Sequence, residues 1–337
     1  MIFRLAPGTP ADIVQELRDR LENVGVRTRL SPETSQPIFA AVDKVPTELG
    51  KEIAAHERVL ETVTPHGAWR LADRSFRNST TIANIGGVRI GGREVVVIAG
   101  PCSVDSYMDE AADQVKRAGG HILRGGAYKP RTSPWSFQGF GEEGLRLLKS
   151  AGERVELPVI SEIMDAAHLP AFLDYGIDCL QVGARNMQNF TLLKAISGCG
   201  VPVLLKRGLA ATVDEWLYSA EYLLAGGCQG VVLCERGIRT FEQATRNTLD
   251  LTILPLLREW THLPIVVDPS HAAGIASLIP ALSRAAVAVG GDGLAVEIHP
   301  DPSQARSDAD QALLEGELAQ ITADARMLGA VIGRKDP

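Results

Sequence analysis

The sequence predicts an α/β protein in which a parallel (β/α)8 barrel follows a small βαββαβ ferredoxin-like domain. Two patterns carry that reading. Past residue 92, eight short Val- and Ile-rich runs recur with helix-like segments between them: VVVIAGPCS, HILRGGAYK, PVISEIMD, CLQVGARN, PVLLKRG, GVVLCERG, PIVVDPSHA and GLAVEIHP. Nearly continuous apolar strands alternating with helices indicate a parallel sheet covered by helices, and eight units close into a barrel more readily than they spread into an open sheet. Before residue 66 the order is instead strand, helix, strand, strand, helix, strand, the succession of a ferredoxin-like sandwich.

In chain order, MIFRLA reads as a strand, residues 10–23 as an amphipathic helix, and VRTRLS and PIFAAVD as two strands. PTELGKEIAAH is helical and ERVLETVTP is the last strand of a domain spanning 1–65. That domain holds no cysteine and no titratable cluster of catalytic type, so packing, oligomerisation and ligand-controlled regulation all fit it. Residues 66–92 form a linker and a hairpin, TTIANIGGVRIGGREV, with Gly-Gly pairs as turns. The barrel occupies 93–332. Among its helices TVDEWLYSAEYLLAGG is the clearest: Thr212 and Glu215 form a capping box, Trp216, Leu217, Ala220, Leu223 and Leu224 an apolar face, and Gly226 stops it.

Composition narrows the function. The chain has 337 residues, 45% hydrophobic, with 33 glycines and 19 prolines, as in an ordinary soluble α/β protein of one large and one small domain. A formal net charge of −7 without a basic run argues against a nucleic-acid partner. No stretch approaches the roughly 18 uninterrupted apolar residues of a membrane span. The N-terminal MIFRLAPGTPADI lacks a signal core, so the expected location is cytoplasmic. Five cysteines, an odd count without CxxC spacing, argue against a disulfide framework and leave any special cysteine as ligand or nucleophile.

Each of the eight runs ends in reactive side chains: Cys102; Arg124 and Lys129; Glu162; Arg185; Lys206 and Arg207; Glu235 and Arg236; Asp268 and His271; Glu297 and His299. In a barrel these strand ends form the floor of the active site. Arg124, Lys129, Arg131, Arg185, Lys206, Arg207 and Arg236 make a cationic ring that exceeds the need of one carboxylate and suits phosphorylated substrates. The stretch GGAYKPRTSP belongs to that ring, although alone it fits a solvated basic turn equally well. Cys102, His271 and Glu297 come from strands 1, 7 and 8, which are neighbours in a closed barrel. Their thiolate, imidazole and carboxylate suit Zn2+, Fe2+, Co2+ or Mn2+ better than Mg2+ or Ca2+. A packed thiol with His271 as phosphate donor is the plainer alternative. A Cys–His nucleophilic pair is another, but it leaves the cationic ring without a purpose. His56, His66, His121, His168 and His262 read as surface or core histidines.

The segments IAGPCSV, LRGGAYKPRTSPWSFQGFG, QVGARNMQNF, LLKRG, LCERGIRTFEQATRNTLD, VDPSHAAG and VEIHPDPSQARSDADQAL resemble the metal-dependent 3-deoxy-D-arabino-heptulosonate 7-phosphate (DAHP) synthases. More narrowly, the resemblance is to the type I beta subfamily with an N-terminal ferredoxin-like domain, and it covers essentially the whole chain. It implies a transferase that condenses phosphoenolpyruvate with erythrose 4-phosphate, the entry to the shikimate pathway of aromatic amino-acid biosynthesis. It implies as metal ligands Cys102, His271, Glu297 and also Asp308 of the SDAD segment. Arg124, Lys129, Arg185, Lys206 and Arg236, with Glu162 nearby, would form the phosphoenolpyruvate pocket. Arg131 and Thr132 would hold the phosphate of erythrose 4-phosphate, with Asp268 close to that substrate and Lys129 as proton donor. One divalent ion (Mn2+, Fe2+, Co2+ or Zn2+), an aromatic amino-acid effector at the N-terminal domain and a homotetramer are the further implications.

The nearest alternative is 3-deoxy-D-manno-octulosonate 8-phosphate synthase, with the same barrel and phosphoenolpyruvate chemistry but a five-carbon sugar phosphate. Its corresponding loop is of KANRTS type, whereas this chain has KPRTS. A non-catalytic ligand-sensing paralogue would be expected to lack a ligand or pocket cation, and none is missing.

Overall fold

The computed structural model describes residues 1–33 and 35–334, which divide into two compact units. One comprises residues 1–80 and 256–262, the other residues 81–255 and the chain from 263 onward.

In the first unit the elements are β1 (Ile2–Leu5), α1 (Ala11–Glu22), β2 (Thr28–Leu30), β3 (Ile38–Ala41), α2 (Thr47–Ala54) and β4 (Val59–Val63). The antiparallel sheet has the order β2-β3-β1-β4, so the first strand is central. Val14, Leu17 and Leu21 of α1 recur at helical spacing and pack with Ile53 of α2 against Phe3, Leu5 and Phe39. The rings of Phe3 and Phe39 stack with centroids 4.9 Å apart. Residues 66–80, expected as a linker, pack within this unit: Thr261 Oγ1 donates to the Ala72 carbonyl at 2.6 Å.

The second unit opens with a hairpin, β5 (Ala83–Ile85) and β6 (Val88–Ile90), turned by Gly86 and Gly87 at φ 53° and 94°. Two consecutive positive φ values are what a tight hairpin turn requires, and only glycine adopts them without strain. The barrel strands follow: β7 (Val96–Gly100), β8 (Ile122–Arg124), β9 (Val159–Glu162), β10 (Cys179–Val182), β11 (Val203–Lys206), β12 (Val231–Glu235), β13 (Ile265–Val267) and β14 (Gly293–Glu297). All pair in parallel, and β14 closes on β7 with Glu297 opposite Gly100. The eight apolar runs of the sequence are these eight strands.

Ala83, Ile85 and Ile90 of the hairpin pack with Val96, Ile122, Ile160, Leu204, Val232 and Val266 from inside the barrel. A Cβ on Gly86 would lie 2.4 Å from Pro158, just ahead of β9, so the hairpin plugs the end where the strands begin. The opposite end is left for polar side chains. Outside, the helix Val213–Ala225 has the expected capping box: Thr212 Oγ1 accepts from the Glu215 amide at 3.2 Å, and Glu215 accepts from the Thr212 amide at 2.8 Å. It buries Trp216, Leu217, Ala220 and Leu223, and Trp216 Nε1 donates to the Leu205 carbonyl at 3.1 Å.

Candidate active site at the strand ends

Side chains along a strand alternate between faces, so residues two apart share one. Val96 and Ile98 fill the barrel interior, and continuing in phase leads to Cys102. The same step runs from Ile122 to Arg124, Ile160 to Glu162, Cys179 to Gln181, Leu204 to Lys206, Cys234 to Arg236, Val266 to Asp268 and Ala295 to Glu297. One apolar core layer therefore aims a polar set at a single point. Arg207 and Glu235 are out of phase. They pair with each other at 3.0 Å, and Arg207 also meets Asp250 at 3.1 Å. That removes Arg207 from the cationic ring expected from the sequence.

At the centre, one donor atom from each of Cys102, His271, Glu297 and Asp308 lies within 4.8 Å of the other three. The Cys102 thiol donates to Asp308 Oδ2 at 2.8 Å, and His271 Nε2 is 3.4 Å from Glu297 Oε1. Burial and the neighbouring Glu297 push the Cys102 thiol up to about 12. Burial opposes ionisation of Glu297 too, yet His271 and Arg124 hold its carboxyl at about 2. Arg124 bonds Glu297 Oε1, and Gln311 Nε2 donates to Oε2 at 2.5 Å. His271 Nδ1 is 2.7 Å from Asp268 Oδ2, and Lys206 Nζ is 2.5 Å from that same oxygen. With Nδ1 engaged, Nε2 is the ring nitrogen left for coordination, the carboxylate–histidine arrangement of metal sites. One sulfur, one imidazole nitrogen and two carboxylate oxygens fit a borderline divalent ion.

Beside this set opens a cavity. Its wall brings together Lys129, Arg131, Arg185, Lys206 and Arg236 with Glu162, His271 and Asp308. Lys129 Nζ donates to the Cys102 carbonyl at 2.8 Å and lies 2.9 Å from its Sγ, so it joins cavity and donor set. Glu162 Oε2 accepts from Gln181 at 3.0 Å. Arg124 and Asp268 are buried and bond Glu297 and His271 respectively. Thr132 is exposed on the KPRTS loop and outside this lining. His299 turns away to Asp105, at 3.0 Å.

Three participants were named neither at the strand ends nor by the resemblance. Arg239 and Arg246 line the cavity from the irregular chain after β12, and Gln311 touches Glu297 from a short turn after β14. None sits on a periodic element, so no spacing marks them.

A closed parallel barrel with this donor set beside an arginine- and lysine-lined cavity defines an anion-binding (β/α)8 enzyme with a metal-ligand cluster. Residues 75–329 match the DAHP synthetase I family, and the chain belongs to that family. It is 39% identical over 340 residues to the phospho-2-dehydro-3-deoxyheptonate aldolase of Thermotoga maritima, covering 99% of each chain. The crystal structure of a Thermotoga maritima DAHP synthase superposes with a TM-score of 0.77 over 99% of this chain and 98% of that one, at 39% identity. A 2-dehydro-3-deoxyphosphooctonate aldolase of Koribacter versatilis is 34% identical over 261 residues, 69% of this chain and 92% of its own.

Proposed function

We propose that this protein condenses phosphoenolpyruvate, erythrose 4-phosphate and water to DAHP and phosphate, the first step of the shikimate pathway. The observation that carries the reading is the meeting of four metal-donor side chains with a cation-lined cavity, joined by Lys129.

Cys102, His271, Glu297 and Asp308 hold a divalent ion, Mn2+, Fe2+, Co2+ or Zn2+, which supplies Lewis-acid polarisation of a carbonyl oxygen. Arg124, Lys129, Arg185, Lys206 and Arg236 bind the phosphate and carboxylate of phosphoenolpyruvate, while Arg131 and Thr132 take the phosphate of erythrose 4-phosphate. Lys129 Nζ delivers a proton to the aldehyde oxygen as carbon 3 of phosphoenolpyruvate bonds to the aldehyde carbon. Glu162 takes a proton from the water that adds to carbon 2, after which the bond from carbon 2 to the phosphate oxygen breaks and the new hydroxyl becomes the ketone as its proton leaves with the phosphate. Asp268 orients both Lys206 and His271.

Residues 1–65 serve as a regulatory domain for an aromatic amino acid, residues 66–92 connect it, and residues 93–332 carry catalysis. The chain works as a homotetramer in the cytoplasm. In support of a non-membrane role, no described helix is long and apolar enough to cross a membrane.

Phosphate release from phosphoenolpyruvate, with erythrose 4-phosphate or arabinose 5-phosphate as acceptor, tests the reading. Turnover with the four-carbon sugar alone is expected. Preference for the five-carbon sugar would move the chain to octulosonate chemistry, and no turnover in folded, metal-loaded protein would leave a sensing role.

A further inference from the structure

Arg246 belongs to no strand and to none of the eight apolar runs, yet it makes contacts that reach most of the donor set. One guanidinium nitrogen lies 2.9 Å from Asp308 Oδ1 and 2.9 Å from Gln311 Oε1. The amide end of Gln311 donates to Glu297 Oε2 at 2.5 Å, so a continuous chain of hydrogen bonds runs from Asp308 through Arg246 and Gln311 to Glu297.

The backbone around Arg246 reaches a third donor. Its amide bonds the Ala273 carbonyl at 3.0 Å, and the Asn247 amide bonds the Ala272 carbonyl at 2.8 Å, next to His271. Asn247 Nδ2 also donates to the His271 carbonyl at 2.9 Å. The two segments approach closely because residue 274 is glycine. Its φ is 69°, and a Cβ there would lie 2.7 Å from Arg246 Cβ.

Asp308 needs such a partner. It sits at φ 56° and ψ 38°, a left-handed conformation that an L residue with a side chain rarely adopts, between two single-turn helices. Nothing in a regular element fixes its carboxylate. Arg246 fixes one oxygen, and the other faces the Cys102 thiol. The Arg246 side chain is also 37% exposed and lines the cavity, so it stands between arriving anions and the donor set.

We infer that Arg246 is a positioning residue for the metal site: from the cavity wall it holds Asp308 directly and Glu297 through Gln311, and so sets metal affinity and coordination geometry. The inference rests on the metal reading above, and the test separates the two.

Chelator-stripped full-length protein is titrated with Co2+, following the thiolate-to-cobalt charge-transfer band and the ligand-field bands. Wild type is expected to bind with both signatures. Arg246→Gln is expected to raise the Co2+ dissociation constant by about 10- to 100-fold, the usual effect of losing a partner of a metal ligand, and to alter the ligand-field bands. The melting temperature of the metal-free protein should stay that of wild type. Gln311→Leu should weaken binding as well. The double variant should lose less than the product of the two single losses, because both cut one chain of contacts.

Wild-type affinity and spectrum in Arg246→Gln, alongside normal binding by wild type, would overturn the inference and leave the metal reading standing. Absence of Co2+ binding by wild type itself would overturn both. Should Arg246→Gln fail to fold, Gln311→Leu decides: unchanged affinity and spectrum in that variant overturn the inference.

Discussion

Asp268 Oδ2 lies 2.7 Å from His271 Nδ1, and its partner oxygen accepts the His271 backbone amide at 2.9 Å. The carboxylate thus fixes both the ring and the start of the short helix that carries it. Charge attraction to His271 and Lys206 outweighs burial and keeps Asp268 ionised well below the ordinary carboxylate range. Asp268→Asn should lower metal affinity by about 10- to 100-fold, because an amide neither selects the same ring tautomer nor balances Lys206. Competition with a metallochromic indicator measures this, and an unchanged affinity would remove Asp268 from its orienting role.

Among the described residues, Lys129 is the one cation bonded to a metal-donor residue's backbone and thiol while also facing the cavity. Lys129→Met keeps an unbranched side chain, one heavy atom shorter, and removes the proton. Loss of a general acid costs on the order of 10²- to 10⁴-fold in kcat. Steady-state kinetics should show most of the loss in kcat. A change confined to KM would make Lys129 a binding group only.

The thiols separate a metal ligand from a nucleophile. Cys102, Cys179, Cys228 and Cys234 are buried and Cys199 is half-buried. Burial pushes Cys228 up to about 11 and Cys102 to about 12, whereas an enzymatic nucleophile is held low. In metal-free folded protein, a disulfide reagent should modify one thiol per chain quickly, and none in Cys199→Ser. Rapid labelling of Cys102 would revive the nucleophilic reading.

His262 sets an acid limit on stability. It is buried with Nε2 2.7 Å from the Leu71 carbonyl, and burial lowers its pKa from 6.5 to about 4. Between those values the unfolded chain binds a proton that the folded chain does not, so stability falls as pH drops from 6.5 towards 4. At about 1.4 kcal/mol per unit, the full loss is roughly 3 kcal/mol. Urea midpoints across that window should fall more steeply for wild type than for His262→Gln. Parallel slopes would mean that His262 titrates normally.

Much of this was legible in the sequence because it rests on repetition. Eight apolar runs, the βαββαβ order and the Thr212–Glu215 cap each follow a periodic or local rule, and each has its counterpart in the structure. The strand-end residues were legible for the same reason, but which of two neighbours faces inward was not. Lys206 and Arg207 look equivalent in the sequence, and only the phase of the barrel sends one to the cavity and the other to Glu235. Asp308 came from resemblance alone, and Arg246 and Gln311 from the structure alone. They lie on irregular chain whose course is set by tertiary contacts.

Condensation is expected to depend on an ion held by the cluster of Cys102, His271, Glu297 and Asp308. The most direct measurement is phosphate release from phosphoenolpyruvate and erythrose 4-phosphate by chelator-stripped protein, before and after one equivalent of Mn2+, with Cys102→Ala in parallel. A silent stripped enzyme, recovery on adding the ion, and no recovery in Cys102→Ala are expected. Full turnover by the stripped wild type, or by Cys102→Ala in chelator, would contradict that dependence.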